Sequence, residues 1–174
     1  MEFAVKGVTE ADLTELGQLF DDLNDHLEAT INYPKWKKGV YPTQNDAKPH
    51  VDKGLFVLWF DSKIVGSICL NHVQEEAYAQ ATWGMEAFGS EVLVIRMLTT
   101  HPNYLRMGVS CKLLDFAKHH ANAIGAKTIR LDVTQGNSPA IALYKKCGYT
   151  YAGTVDLGLP YDGLKWFELY ELIL

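Results

Sequence analysis

The sequence contains few cysteines and no long apolar segment. Its three cysteines, Cys69, Cys111 and Cys147, form no Cys-x-x-Cys pair, so neither a zinc site nor a disulfide framework is predicted. This usage is typical of a reducing compartment, and we expect a cytoplasmic protein. The N-terminal residues carry acids and lack an apolar stretch, so no signal peptide is predicted. No segment approaches the roughly 18 apolar residues of a membrane span, so no membrane partner is expected.

Basic charge is also scarce. The chain has 16 Lys and Arg against 21 Asp and Glu, which gives a net charge of −5. A nucleic-acid partner is not expected, because phosphate binding needs clustered basic side chains. The acidic balance suits a cationic substrate or simply favours solubility. With 174 residues, 48% of them hydrophobic, the chain is expected to form a single domain over residues 1–174 with a sizeable core.

The hydrophobic pattern predicts an α/β protein of the α+β type. Strands are predicted at residues 3–6, 55–60, 64–70, 91–99, 128–133, 149–155 and 166–172. Helices are predicted at 10–27, from about 43, at 108–123 and at 139–147, while 77–85 is ambiguous. This order predicts a mixed, mostly antiparallel sheet of six to seven strands with helices on both faces. The terminal apolar strand 166–172 is a candidate edge for a homodimer.

Residues 100–114 predict an anion-binding loop. An apolar strand enters a tight turn there, and an amphipathic helix leaves it. The amides from Arg106 to Ser110 are expected to point into one concavity at the positive end of the helix dipole. Gly108 allows the backbone to approach a ligand closely. The site suits a pyrophosphate and needs no metal ion; a plain strand-to-helix connection is the alternative.

Residues 131–149 contain a second motif, in which a strand is followed by a short helix. Asn137 is placed to cap this helix, Pro139 lies just inside its start, and Gly148 lies past its end. Tyr144 lies in the body of the helix. Of these two segments, residues 100–114 are the more informative.

These two segments resemble the GNAT superfamily of N-acetyltransferases. The family's acyl-CoA loop has the form Gln/Arg-x-x-Gly-x-Gly/Ala, and the corresponding positions here are Leu105, Gly108 and Ser110. The second signature, Asn-x-x-Ala-x-x-x-Tyr-x-x-x-Gly-Phe/Tyr, is matched by Asn137, Ala140, Tyr144, Gly148 and Tyr149. The N-terminal half resembles a bacterial subgroup of largely unassigned substrate. Leu105 and Ser110 depart from the family pattern, although a loop that works through backbone amides tolerates the small Ser110.

The resemblance implies a single GNAT-like domain that transfers an acetyl group from acetyl-CoA to a primary amine. The acceptor would be a small molecule, a peptide or a protein N-terminus, and the amine would attack directly, with no covalent enzyme intermediate and no metal. The implied acetyl-CoA-binding residues are Met97, Leu98, Thr99, Leu105, Arg106, Met107, Gly108, Val109, Ser110, Asn137, Ala140 and Tyr144.

Direct attack requires a base, an oxyanion donor and an acid. The amine must first be neutral, and a free alkyl amine has a pKa of about 10.4. The resemblance places a main-chain oxyanion donor near Met97 to Thr99 and makes Tyr144 the acid for the leaving thiolate. Asp132 is the leading candidate base, since its place is similar to that of a catalytic Glu in ribosomal-protein N-terminal acetyltransferases. Alternation along the strand puts Asp132 on the face opposite Leu131. A solvated or salt-bridged carboxylate at the strand end is the alternative. Four other candidate bases remain open: Glu91, Glu75, Glu76 and His72.

The acceptor site is less well defined by the sequence. The aromatic residues Tyr33 and Trp36, with Tyr41 and Trp83, are candidates to surround a cationic amine, and loop packing is the alternative. Arg96 is a charge inside an apolar strand, so it is a candidate to pair with a carboxylate beside the acceptor.

Two other functions are compatible with the same motifs. A non-catalytic acyl-CoA-binding sensor or partner module is the alternative to an enzyme, favoured by the altered positions Leu105 and Ser110 and disfavoured by the retained Tyr144. Transfer of a longer acyl chain depends on pocket volume, which the sequence does not show.

Overall fold

The structure is a computed structural model that describes residues 2–174. Within these residues the strands are β1 Phe3–Gly7, β2 Leu55–Phe60, β3 Lys63–Asn71, β4 Val92–Thr100, β5 Thr128–Thr134, β6 Thr150–Asp156 and β7 Trp166–Ile173. The α-helices are α1 Leu13–Ala29, α2 Gln44–Ala47, α3 Val109–Ala123 and α4 Ser138–Lys146. Each predicted strand and helix is present, with ends that differ by at most three residues. The ambiguous segment 77–85 contains a short 3-10 turn at Glu76–Gln80.

The strands form a seven-stranded sheet in the order β1-β2-β3-β4-β5-β7-β6. β4 and β5 are parallel, whereas β1–β2, β2–β3, β5–β7 and β6–β7 are antiparallel. This confirms the predicted mixed, mostly antiparallel sheet. The prediction that strand 166–172 is an edge is wrong, because β7 lies between β5 and β6. Its apolar character reflects burial inside the sheet, so the homodimer prediction loses this support and stays untested.

The described residues fall into two compact units. The first comprises the residues up to Asn32, with Trp36–Asn71 and Arg96–Ala117. Its core is built by the apolar face of α1 and by β2 and β3, with Leu16, Phe20, Val57 and Ile64 among its buried members. Gly66 on β3 has no room for a side chain, because an added Cβ would lie 2.6 Å from Val109 and 2.8 Å from the Thr99 carbonyl oxygen. Glycine at this position therefore lets the first turn of α3 pack directly on β3.

The second unit comprises Tyr33–Lys35, His72–Ile95 and Lys118–Leu174. Its core contains Val92 and Val94 of β4, Leu169 of β7 and Tyr78 from the 3-10 turn. The segment 72–91 therefore packs on one face of the strands of this unit. No helix within residues 2–174 combines the length and the apolar character needed to cross a membrane. The expectation of a single domain over residues 1–174 stays a prediction.

Candidate active site

The predicted anion loop contains two residues with a left-handed backbone conformation. Arg106 and Gly108 both have left-handed φ, 64° and 78°, and α3 begins at Val109. The Lys112 amide donates to the Gly108 carbonyl at 3.0 Å, so the helical hydrogen bonds begin there. The Met107 amide donates to the Tyr104 carbonyl at 3.4 Å, so it is not available to an anion. The other amides from Arg106 to Ser110 have no acceptor within the helix, and left-handed residues beside such amides form concavities that bind anions. An added Cβ on Gly108 meets nothing within 4 Å, so its backbone faces open space.

Side chains around this loop tie its two ends together. The Ser110 hydroxyl lies 2.8 Å from the Thr100 hydroxyl, which joins the first turn of α3 to the end of β4. His101 Nε2 lies 3.2 Å from Asp22 Oδ2 on α1, and His101 Nδ1 accepts from the Asn103 amide at 3.1 Å. Both ring nitrogens of His101 therefore have partners within the first unit. This arrangement is typical of a residue that stabilises the loop, and it leaves neither nitrogen to bind a phosphate.

Strand β4 is irregular where an oxyanion donor is predicted. Met97 has a left-handed φ of 47°, which is uncommon for a non-glycine residue and interrupts the regular pleat. Ser67 on β3 donates to the Met97 carbonyl at 2.9 Å, and its hydroxyl lies 2.6 Å from the Thr99 hydroxyl. The residues of β4 that pair with β5 are Val92 to Val94. The irregularity therefore lies beyond the residues of β4 that pair with β5.

Tyr144 lies on α4, in the second unit. Asn137 caps this helix through Oδ1, which accepts from the Ala140 amide at 3.4 Å. The Tyr144 ring is buried, 5.9 Å from the Tyr149 ring and 6.4 Å from the Tyr170 ring. Burial raises the pKa of Tyr144 well above its usual range, and the charge of Asp132 raises it further. Tyr144 is therefore a neutral phenol that keeps a proton to donate.

Asp132 lies on β5, and its side chain is on the other face of the sheet from Tyr144. Directly paired residues of antiparallel strands share a face. Asp132 pairs with Leu169, whereas Leu131 pairs with Tyr170, the residue against which Tyr144 packs. The predicted alternation, which put Asp132 opposite Leu131, therefore agrees with the register.

Tyr78 is the neighbour of Asp132 that the sequence did not predict. Its hydroxyl donates to Asp132 Oδ2 at 2.5 Å, across a separation of 54 residues. Tyr78 belongs to the segment whose secondary structure was ambiguous, and no motif spacing links the two residues. The only signal in the sequence was the pair of aromatic residues, Tyr78 and Trp83, in that segment.

The alternative bases differ in what they contact. Glu91 lies 2.6 Å from Lys127 Nζ and accepts from the Phe88 amide at 2.9 Å, and the hydrogen bond from Lys127 lowers the pKa of Glu91. His72 is exposed and lies with Nδ1 2.7 Å from the Val92 carbonyl oxygen, so that nitrogen is the donor. Glu76 is exposed and Glu75 is half-buried at the start of the 3-10 turn.

The predicted acceptor aromatics are held by local contacts. Trp36 lies edge-on to Tyr41 at 5.7 Å, and its amide donates to Asn32 Oδ1 at 3.1 Å. Tyr33 is half-buried in the second unit. One face of Trp83 is covered by the Arg130 guanidinium at 4.3 Å, so that face is closed to an acceptor cation.

Arg96 is half-buried on β4, close enough to Cys69 for its charge to act on the thiol. Burial raises the pKa of Cys69 to about 11, and Arg96 opposes this shift. A shallow hollow of about 550 Å³ lies elsewhere in the first unit, lined by residues that include Lys6, Trp59 and Asp61. None of the predicted site residues lines that hollow, so it is not the candidate site.

The sheet order, the amide loop before α3 and the capped helix α4 define a fold of the GNAT type. Residues 19–149 match the model of the acetyltransferase (GNAT) family, and the chain belongs to that family.

Known proteins support this assignment. The chain is 30% identical to streptothricin acetyltransferase of Escherichia coli over 106 residues, which are 61% of this chain and 52% of that protein. The match thus spans about half the length of this curated relative. A GNAT-family acetyltransferase of Streptococcus agalactiae superposes with a TM-score of 0.79 at 16% identity, covering 99% of this chain and 95% of that one. YncA of Salmonella typhimurium, a putative acetyltransferase solved with acetyl-CoA, superposes with a TM-score of 0.69 at 15% identity, covering 99% and 94%. At such identities the structures show a shared fold.

Proposed function

We propose that this protein transfers an acetyl group from acetyl-CoA to a primary amine by direct attack. The observation that carries the proposal is the left-handed pair Arg106 and Gly108 before α3, which leaves the first amides of that helix for an anion. The family match and the neighbour solved with acetyl-CoA support the same co-substrate. The apolar side chains of Leu105 and Met107 are 46% and 43% exposed beside this loop. Leu105, where the family has Gln or Arg, therefore presents an apolar side chain to solvent beside the loop.

Each residue has a distinct role in the proposed reaction. The amides of Arg106 and of Gly108 to Ser110 hold the phosphates, since the Met107 amide donates to the Tyr104 carbonyl. A main-chain amide near the irregularity at Met97 donates to the carbonyl oxygen of the thioester. Asp132 takes the proton of the acceptor amine, directly or through water. Tyr144 donates a proton to the sulfur as the thiolate leaves. The base and the acid would approach the reacting groups from opposite faces of β5.

The acceptor is proposed to be a cationic small molecule with a primary amine. A negatively charged protein attracts such molecules, and the curated relative is named for streptothricin. A peptide or protein N-terminus remains the second acceptor class. Incubation with acetyl-CoA and streptothricin, lysine or an alanine-terminated peptide, followed by mass spectrometry, identifies the acceptor by a gain of one acetyl group.

Acetyl-CoA binding is tested by thermal unfolding with ATP and NAD as controls. A ligand at about 100 times its dissociation constant stabilises the folded state by about 2.7 kcal/mol. Gly108→Ala is expected to lose this shift. Gly125→Ala is the matched control, because Gly125 has a similar φ of 76°, equally open surroundings and a place at the other end of α3. An equal shift with ATP, or an equal loss in both variants, contradicts the assigned loop.

The enzyme and the non-catalytic binding module are separated by Tyr144→Phe. An acid that protonates the leaving group typically contributes about 100-fold or more to turnover, so kcat is expected to fall by that factor with little change in acetyl-CoA affinity. Tyr149→Phe is the control, since it removes the hydroxyl of a neighbouring buried phenol. Binding of acetyl-CoA without acetylation of any amine would favour the binding module.

A further inference from the structure

Tyr78 and Asp132 form a short hydrogen bond that no signature of the sequence predicts. Tyr78 is 1% exposed, and its hydroxyl donates to Asp132 Oδ2 at 2.5 Å. Oxygen-to-oxygen distances of this size are typical of charge-assisted bonds between a hydroxyl and a carboxylate. A phenol is ordinarily a far weaker acid than a carboxyl group, so Tyr78 is the donor and the carboxylate is the acceptor.

The Tyr78 hydroxyl is held in place by the segment that carries it. The Tyr78 carbonyl accepts from Trp83 Nε1 at 2.8 Å, and the two rings lie 5.6 Å apart. The Thr82 amide donates to the Ala152 carbonyl of β6 at 2.9 Å, which ties the segment to the sheet. These contacts fix both the backbone and the ring of Tyr78.

A buried ion pair anchors the other end of the same segment. Arg130 and Glu171 are 3% and 2% exposed and pair at 3.1 Å. Glu171 Oε1 accepts from the Gly84 amide at 2.7 Å, and Arg130 Nη2 donates to the Met85 carbonyl at 2.6 Å. Arg130 also covers Trp83, the residue that bonds to the Tyr78 carbonyl. The segment is therefore attached to β5 and β7 by groups that are costly to leave unpaired.

We propose that Tyr78 is a positioning residue that orients the Asp132 carboxylate and stabilises its ionised form for proton abstraction. The inference rests on the proposed function, because it requires Asp132 to be the base. In the step that Tyr78 supports, the N–H bond of the acceptor ammonium breaks, an O–H bond forms on Asp132, and the electron pair stays on nitrogen. A hydrogen bond from the phenol favours the ionised form of the carboxylate. Asp132 therefore stays deprotonated at a lower pH than it would without Tyr78.

The test is the pH dependence of kcat/KM for the acceptor in Tyr78→Phe. Loss of the bond makes the carboxylate easier to protonate, so the acidic limb is expected to move to higher pH. Loss of the orientation that the bond provides is expected to lower kcat/KM at neutral pH by about tenfold. The KM for acetyl-CoA is expected to stay unchanged. In an Asp132→Asn background the same substitution should cause no further loss.

Tyr170→Phe is the matched control. Tyr170 is also buried, and its hydroxyl donates to the Glu168 carboxylate at 3.1 Å on the other face of the sheet from Asp132. It should leave the acidic limb in place, which separates a specific effect on Asp132 from the general loss of a buried phenol–carboxylate bond.

Three outcomes overturn the inference, and they are distinguishable. An unmoved acidic limb in Tyr78→Phe, with an active wild type and an Asp132→Asn variant of reduced activity, overturns the role of Tyr78 alone. An equal loss in the wild-type and Asp132→Asn backgrounds shows that Tyr78 acts through packing only. A wild type that acetylates no amine removes the proposed function itself, and the inference falls with it.

Discussion

At the residue scale, three buried phenols near β5 and β7 differ in their surroundings. Burial is the largest cause of a raised pKa for Tyr144, Tyr149 and Tyr170, and the pKa of Tyr170 reaches about 12. Only the pKa of Tyr144 is also raised by the charge of Asp132. The proposed acid is thus electrostatically coupled to the proposed base. When Asp132 takes up a proton, its charge disappears and Tyr144 releases its own proton more easily.

We predict that Asp132→Asn lowers the pKa of Tyr144 while leaving it above its usual value. The substitution removes the negative charge, whereas burial, the larger cause, remains. Titration of 13Cζ-labelled tyrosines by NMR measures this, with the Tyr144 signal assigned by its absence in Tyr144→Phe. Glu168→Gln is the control, because it should lower the pKa of Tyr170 instead. An unchanged Tyr144 titration in Asp132→Asn would show that the two groups are not coupled.

We predict that Tyr149→Phe stabilises the protein by about 1 kcal/mol. Among the described residues, the buried Tyr149 hydroxyl has no hydrogen-bond partner, so it loses its hydration on folding without compensation. Urea unfolding measures the change. Tyr170→Phe should instead destabilise, since its hydroxyl donates to Glu168. Destabilisation by Tyr149→Phe would indicate a partner, such as a buried water molecule, for that hydroxyl.

At the element scale, β7 holds the segment 72–91 through one carboxylate. Glu171 Oε1 accepts from the amides of Gly84 and Met85 at 2.7 and 3.3 Å. Its Oε2 accepts from Thr128 Oγ1 at 2.9 Å and from Arg130 Nε at 3.1 Å. These four hydrogen bonds satisfy the lone pairs that burial of the carboxylate would otherwise leave unpaired. Glu171 is therefore one of the side chains that fix the position of the segment that carries Tyr78.

We predict that Glu171→Ala destabilises the protein by about 3–5 kcal/mol, because it leaves the Arg130 charge buried and unpaired. It should also increase hydrogen exchange at the Gly84 and Met85 amides. Urea unfolding and exchange mass spectrometry measure the two effects. Glu91→Ala is the control, since the Glu91–Lys127 pair is solvent-exposed and screened, and its loss should matter far less. Similar losses in both variants would rule out a special role for the buried pair.

At the scale of the whole molecule, the buried phenols link stability to alkaline pH. A folded-state pKa above the unfolded value of about 10 contributes stability that is present below pH 10. That contribution is lost as the pH rises through the folded pKa. We predict that the free energy of unfolding decreases between about pH 10 and pH 12, where Tyr170 titrates.

Urea unfolding at a series of pH values from 8 upward tests this prediction. The double variant Tyr144→Phe/Tyr149→Phe should lose less stability over the same range, because two of the raised phenols are absent. A profile identical to that of the wild type would show that Tyr144 and Tyr149 do not contribute, and it would assign the alkaline loss to Tyr170 or to lysines.

Sequence patterns predicted most of the fold. Apolar periodicity placed each strand and helix, and the alternation along β5 placed Asp132 on the face opposite Leu131. Periodicity did not predict strand order, because an apolar run such as β7 has the same pattern inside a sheet as at an edge. The sequence predicted candidate site residues that are close along the chain, as in the loop from Leu105 to Ser110 and the helix from Asn137 to Tyr149, and their roles stay predictions.

The sequence by itself determined the elements, the family and the residues of its two signatures, because these depend on local spacing along one chain. Only the tertiary structure decided which side chains meet across long separations. It brought Tyr78 to Asp132 and Gly84 to Glu171, contacts that span 54 and 87 residues. It also placed Tyr144 and Asp132 on opposite faces of β5. Such contacts depend on how the strands pair and on the partners that buried polar groups require. Neither strand pairing nor the choice of these partners produces a periodic pattern in the sequence.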